Sequence, residues 1–290
     1  MDARYIASAD GTKVYADAVG DPSNPSIIFI HGFALSASVF DNIFIGKSYA
    51  DKHYLVRYDL RGHGRSGKPE TAAGYTSNKF AEDFAAVMTA FGLTKPIVVG
   101  WSYGGITLVQ TATVLADIAA NLPADTVAGA VCLASVPFLG PVFPKVAKPE
   151  VINAIGGMQQ ENDVLASAQS FLAFSDMLFT DSESIDWDIR CKWNGMASFQ
   201  LPTHRRLLFS REHDTTKLFE LGRNNFPMLV IVGKHDRDLK VELVIDELRS
   251  IFKSIEVNII EKGGSHAVHF ENELEVMTSI LHFTTVWYRN

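Results

Sequence analysis

The sequence predicts an α/β protein with a mostly parallel central sheet, helices on its faces and a helical insertion. Three observations carry that prediction. Short stretches at 27–30, 97–99, 130–134 and 228–232 are apolar at every position and too short for helices, which suits strands covered on both faces. Apolar residues at helical spacing fall between such stretches, and this alternation implies a parallel sheet with helices packed against it. Several of the strands run straight into glycine-rich turns bearing serine, aspartate or histidine, and open α/β sheets bind ligands outside the carboxyl ends of their strands.

Bulk properties narrow the function. The 290 residues suffice for a sizeable core, with 47% hydrophobic and 20% charged residues as in an ordinary globular domain. A net charge of −7 argues against nucleic acid or an anionic membrane as partner and leaves a small molecule as the expected one. Cys132 and Cys191 make no disulfide framework, which fits a reducing compartment. Residues 1–10 lack the apolar core of a secretory signal, and no apolar run is long enough to span a bilayer, so the cytoplasm is the expected location.

In order, strands are expected at 4–7 and 13–19, joined through Asp10-Gly11, then at 26–30, ending in His31-Gly32-Phe33. A strand at 54–58 closes on Asp59-Leu60-Arg61-Gly62-His63-Gly64-Arg65, a tightly turning loop whose charges read as buried ion pairs and turns. Phe80, Phe84, Val87, Met88 and Phe91 recur at helical spacing, and Gly92 is a natural stop. Strands at 97–101 and 127–134 follow. From 138 to 217 the rhythm changes: four prolines punctuate the entry and aromatic residues are frequent. A structureless loop of that length is unusual, so a helical insertion packed over the sheet edge is expected there. The organisation is therefore a core over 1–137 and 218–290, interrupted by a helical cap at 138–217. Strands at 228–232 and 255–260 and a helix at 273–283 complete the core.

The chemistry concentrates at three strand ends. Gly100-Trp101-Ser102-Tyr103-Gly104 places a serine on a sharp strand-to-helix turn, where the flanking glycines permit close backbone approach. Asp236 follows the strand at 228–232, and His266 follows the strand at 255–260. A serine hydroxyl needs a base that titrates near neutrality, the role for His266; the imidazole needs a carboxylate on its other nitrogen, the role for Asp236. An oxyanion needs two donors, the backbone amides of Phe33 and Tyr103. Asp238 competes with Asp236, which stands closer to its strand end, and His269 competes with His266. A metal reading of His266, His269 and Asp236 lacks further ligands. His31 is expected to order the loop that carries Phe33. Trp101, Phe138, Phe143, Phe174, Met177 and Trp193 are the candidates for an apolar substrate pocket.

Ile28-Phe29-Ile30-His31-Gly32-Phe33, Asp59-Leu60-Arg61-Gly62-His63-Gly64-Arg65-Ser66, Gly100-Trp101-Ser102-Tyr103-Gly104-Gly105, Gly233-Lys234-His235-Asp236 and Gly264-Ser265-His266 together resemble the α/β-hydrolase fold superfamily. The resemblance implies a serine hydrolase with a cap, no cofactor and no metal. It also implies an oxyanion hole at Phe33 and Tyr103, and favours His266 because Glu271 follows it at short distance. Serine at residue 102 departs from the dehalogenase and epoxide-hydrolase branches, which carry aspartate there. The short His31-Gly32-Phe33 turn resembles the branch acting on esters of primary and secondary alcohols. The expected activity is carboxylic ester hydrolysis. Carbon–carbon bond hydrolysis, lactone hydrolysis and perhydrolysis use the same machinery, and a small-molecule receptor could retain the fold.

Overall fold

The computed structural model describes residues 1–46, 48–102, 113–138, 142–209, 211–212 and 214–288. Among them the strands form one eight-stranded sheet in the order β1-β2-β4-β3-β5-β6-β7-β8. The strands are β1 (Asp2–Ala7), β2 (Lys13–Val19), β3 (Ser26–Ile30), β4 (Tyr54–Tyr58), β5 (Ile97–Trp101), β6 (Gly129–Leu133), β7 (Met228–Gly233) and β8 (Ile255–Ile260). β1 and β2 pair antiparallel, as do β2 and β4, and the remaining pairs are parallel. β3 through β7 are buried at every position, which is why their sequences are mostly apolar rather than alternating, the exception being Arg57 of β4, which pairs with Asp17 and Asp41. β8 is an edge strand and is only half covered.

The strand order reverses at β3, which has β4 on one side and β5 on the other. The register Ile30↔Gly100 brings the carboxyl ends of β3 and β5 side by side at this switch point, the crevice where α/β sheets bind ligands. Helix Ser77–Phe91 buries Phe80, Ala81, Phe84, Val87 and Phe91 along one stripe. Each large side chain so buried contributes about 1.5–3 kcal/mol. Gly92 ends the helix with φ 65°, a conformation that costs glycine little. Helix Val241–Ile251 repeats the logic with Val241, Val244, Ile245 and Leu248, and helix Glu273–Trp287 with Val276, Met277, Ile280 and Phe283. None of the described helices is long and apolar enough to cross a membrane.

Between β6 and β7 the described chain is helical, including Pro149–Met158, Val164–Met177, Trp187–Ser198, Pro202–Phe209 and Thr216–Arg223. The helices from Pro149 to Phe209 lie across the carboxyl ends of the strands rather than over one sheet edge, whereas Thr216–Arg223 packs beside Ile251 and Phe252, just before β8. Gln200 Nε2 donates to the Gly62 carbonyl after β4, the Lys148 amide donates to the Asp238 carbonyl after β7, and the Ala267 amide after β8 donates to the Leu178 carbonyl. The physical reason is aromatic: Phe174, Phe179 and Trp193 are buried against Phe33, Trp101 and Phe270, which stand at those ends.

Candidate active site

Ser102 leaves β5 with φ 67°, a left-handed conformation that costs a non-glycine residue about 1–2 kcal/mol. Its amide donates to the Leu133 carbonyl of β6 at 2.9 Å, which helps hold the strained turn. Gly32, at the end of β3, faces this turn. A Cβ there would lie 2.9 Å from Ser102 Cβ and 3.3 Å from Ser102 Oγ, so only glycine lets the two loops approach. The Phe33 amide, the expected oxyanion donor, follows directly in the chain. Tyr103, the other expected donor, lies outside the described residues.

The loop carrying Phe33 is anchored by buried polar groups. His31 Nε2 accepts the Leu60 amide at 3.0 Å, which leaves the proton on Nδ1, 2.8 Å from the Gly32 carbonyl. Burial lowers the His31 pKa, consistent with a neutral ring. Asp59 accepts the Ala37 amide further along the same loop and forms an ion pair with Arg65. Arg61 is buried between Asp83 at 2.6 Å and Asp10 at 3.0 Å. These residues make a structural scaffold.

Two further loops meet at a glycine pair. A Cβ on Gly233 would lie 2.1 Å from the Gly264 carbonyl oxygen, and the His235 amide donates to that oxygen at 2.9 Å. The end of β7 is thus pressed against the end of β8, and Asp236 comes alongside His266. Asp236 Oδ1 accepts the Asp238 and Leu239 amides at 2.8 and 2.9 Å, while Oδ2 accepts from His266 Nδ1 at 2.8 Å. His266 Nε2 lies 2.6 Å from Ser102 Oγ. Serine, imidazole and carboxylate therefore form one continuous hydrogen-bonded chain, although they come from three strand ends. All three are buried.

Burial alone would lower the His266 pKa, but the Asp236 and Asp238 carboxylates overcome it and raise the pKa to about 9. His269 has the opposite fate: burial among Trp101, Phe40 and Trp193 lowers its pKa to about 3. It is a packing histidine, and His266 is the one that reaches Ser102. Asp238 does not take the place of Asp236. Its Oδ2 stands 3.5 Å from His266 Nε2, on the serine side of the ring.

Of the pocket candidates, Phe174 meets the Phe33 ring at 6.2 Å, and Trp193 meets Trp101 at 5.7 Å. Phe138 turns edge-on to Phe219 at 4.9 Å, and Phe143 and Met177 are buried. Trp101 donates its indole N–H to the His266 carbonyl at 2.9 Å, so it holds the histidine loop from behind. Three contacts had no signal in the sequence: that indole bond, Phe209 against Phe33 at 4.6 Å, and the Lys148 ammonium on the Asp236 carbonyl. Each joins segments distant along the chain.

Against known proteins, the profile of the alpha/beta hydrolase fold matches residues 25–273. The chain belongs to the alpha/beta hydrolase fold family. Within that family it is 33% identical over 104 residues to a Mycobacterium tuberculosis protein named "Probable oxidoreductase EphD", a match covering 36% of this chain but only 17% of that one. It is 32% identical over 136 residues to the bifunctional esterase/perhydrolase DCH of Acinetobacter calcoaceticus, covering 46% and 45% of the two chains. Among solved structures of this hydrolase fold, the esterase RhEst1 from Rhodococcus sp. ECU1013 superposes with a TM-score of 0.83 at 25% identity, over 99% of this chain and 100% of the other. The chain thus shares its family and fold with proteins named as esterases, and spans less than half the length of these curated relatives.

Proposed function

We propose that the protein is a serine hydrolase that cleaves carboxylic esters of modest size through an acyl-enzyme. The observation that carries this reading is the hydrogen-bonded chain from Ser102 through His266 to Asp236. His266 Nε2 takes the Ser102 proton as Oγ attacks the ester carbonyl, and Asp236 holds the imidazolium that forms. The same proton passes to the leaving alcohol. His266 then activates water, and the acyl group departs as a carboxylic acid. The Phe33 and Tyr103 amides serve as oxyanion donors.

Residues 138–217 act as the cap, with Phe138, Phe143, Phe174, Met177 and Trp193 as its contribution to an apolar pocket beside Trp101. The likeness to DCH, named both esterase and perhydrolase, supports a second reaction in which peroxide replaces water in deacylation. The two free thiols suit a cytoplasmic setting.

Hydrolysis of p-nitrophenyl esters from acetate to palmitate, with Ser102→Ala beside the wild type, tests the reading. Turnover that Ser102→Ala abolishes supports it, and the chain-length optimum sizes the pocket. Absence of Ser102-dependent turnover on every ester overturns it.

A further inference from the structure

Asp238 is buried at 0% exposure, and neither carboxylate oxygen has a hydrogen-bond partner among the described residues. A buried carboxylate without donors is destabilising, so a fold retains one only where something else needs it. Arg237 and Lys148 turn elsewhere, Arg237 Nη1 donating to the Asp176 carbonyl and Lys148 Nζ to the Asp236 carbonyl, which leaves His266 at 3.5 Å as the one charge partner among the described residues. Asp238 plays no part in orienting the imidazole from Nδ1, because Asp236 already does so with both oxygens occupied.

Its position is informative. Oδ2 lies 3.5 Å from His266 Nε2, the atom that delivers the proton to the departing alcohol in the mechanism above. The oxygen of the leaving group must come within hydrogen-bond reach of Nε2. A substituent one carbon further along the alcohol then comes within reach of the Asp238 carboxylate.

We infer that Asp238 selects the alcohol half of the substrate, accepting a hydrogen bond from a hydroxyl on the carbon next to the esterified one. The preferred substrates are then monoesters of vicinal diols and polyols, and leaving groups carrying a carboxylate are rejected. Burial raises the Asp238 pKa only to about 6, so the acceptor is ionised at the pH where the enzyme works. The inference rests on Ser102 and His266 acting as proposed.

The test compares kcat/KM for 2-hydroxyethyl butyrate and propyl butyrate, which differ chiefly in one hydroxyl replacing a methyl. The wild type is expected to favour the diol ester by about tenfold or more, the size of a hydrogen bond to a charged acceptor. Asp238→Asn lowers that ratio, and Asp238→Leu brings it to about one through loss on the diol ester. Both variants melt at or above the wild-type temperature, since each removes a buried charge whose attraction to His266 does not offset its burial. A wild-type ratio near one, or a ratio unchanged in Asp238→Leu, overturns the selection role while Ser102-dependent hydrolysis stands. If neither ester is hydrolysed in a Ser102-dependent way, the hydrolase reading fails and this inference with it.

Discussion

Two buried charged clusters stand at the carboxyl ends of the sheet, and they differ in how completely their groups are paired. In the loop after β4, both Asp59 oxygens accept hydrogen bonds, and the Arg61 guanidinium is met by Asp83, Asp10 and the Gly74 carbonyl. In the cluster after β7 and β8, Asp236 is fully met, His266 shares its Nε2 with Ser102, and among the described residues Asp238 has no hydrogen-bond donor, only His266 at 3.5 Å. The histidines register the contrast. Burial drives the His63 pKa well below its ordinary value, whereas at His266 the two carboxylates outweigh an equally complete burial. Around Asp59 and Arg61 the charges are met, although His63 Nε2 has no hydrogen-bond partner among the described residues, and the loop makes a scaffold. An unsatisfied network next to a strained serine is where free energy is held for chemistry.

Mutation should separate the clusters cleanly. The largest effect belongs to Ser102→Ala and His266→Ala, each expected to lower kcat/KM by about 10⁴-fold or more, with little change in the melting curve for Ser102→Ala. Asp236→Asn should cost about 10⁴-fold in kcat, because the amide favours the wrong imidazole tautomer. In the scaffold the loss moves to stability: Arg61→Ala strands Asp83 in the interior and should cost about 3–5 kcal/mol in a denaturant titration. The kcat of the remaining folded enzyme should stay within a few-fold of wild type. A large kcat loss in folded Arg61→Ala would erase the distinction drawn between the two regions.

A smaller effect concerns pH. In the proposed mechanism the neutral imidazole is the base, and His266 is faced by Asp236, by Asp238 and by the Ser102 hydroxyl, with Arg237 and Lys148 acting on Asp238. With the pKa of His266 at about 9, kcat/KM should rise with pH through the alkaline range. Asp238→Asn removes one of the charges that hold the proton, so the acid limb should move to lower pH, by about one unit. A limb that moves upward, or stays fixed, would remove Asp238 from the neighbourhood of Nε2.

The smallest effect is on stability. The Asp238 pKa is raised on folding from 3.8 to about 6, so its penalty is absent below the unfolded value and complete above the folded one. Asp238→Asn should therefore stabilise the fold by about 1–3 kcal/mol near neutrality. That gain should shrink as pH falls from about 6 to about 4 and vanish below it, and paired thermal melts across pH read it directly.

Much of this was legible in the residues themselves. Continuous apolar runs at strand length announce a doubly covered sheet, because a strand buried on both faces has no polar side to show. Ser102, Asp236 and His266 are each adjacent to such a run, and strand ends gather on one face of a parallel sheet however far apart they lie in the chain. The glycines at 32, 233 and 264 mark where backbones would touch. What tertiary structure alone decided was side-chain company. The sequence favours Asp236 over Asp238 only by its nearness to the strand end, and the packing of β7 against β8 puts the first on Nδ1 and the second beside Nε2. It offers His266 and His269 likewise, and only the aromatic wall of Trp101, Phe40 and Trp193 takes His269 out of the site. The helices between β6 and β7 are expected along an edge, yet those from Pro149 to Phe209 lie across the strand ends. Periodicity reports which face of an element is apolar, but the partner for that face is set by surfaces distant in the chain.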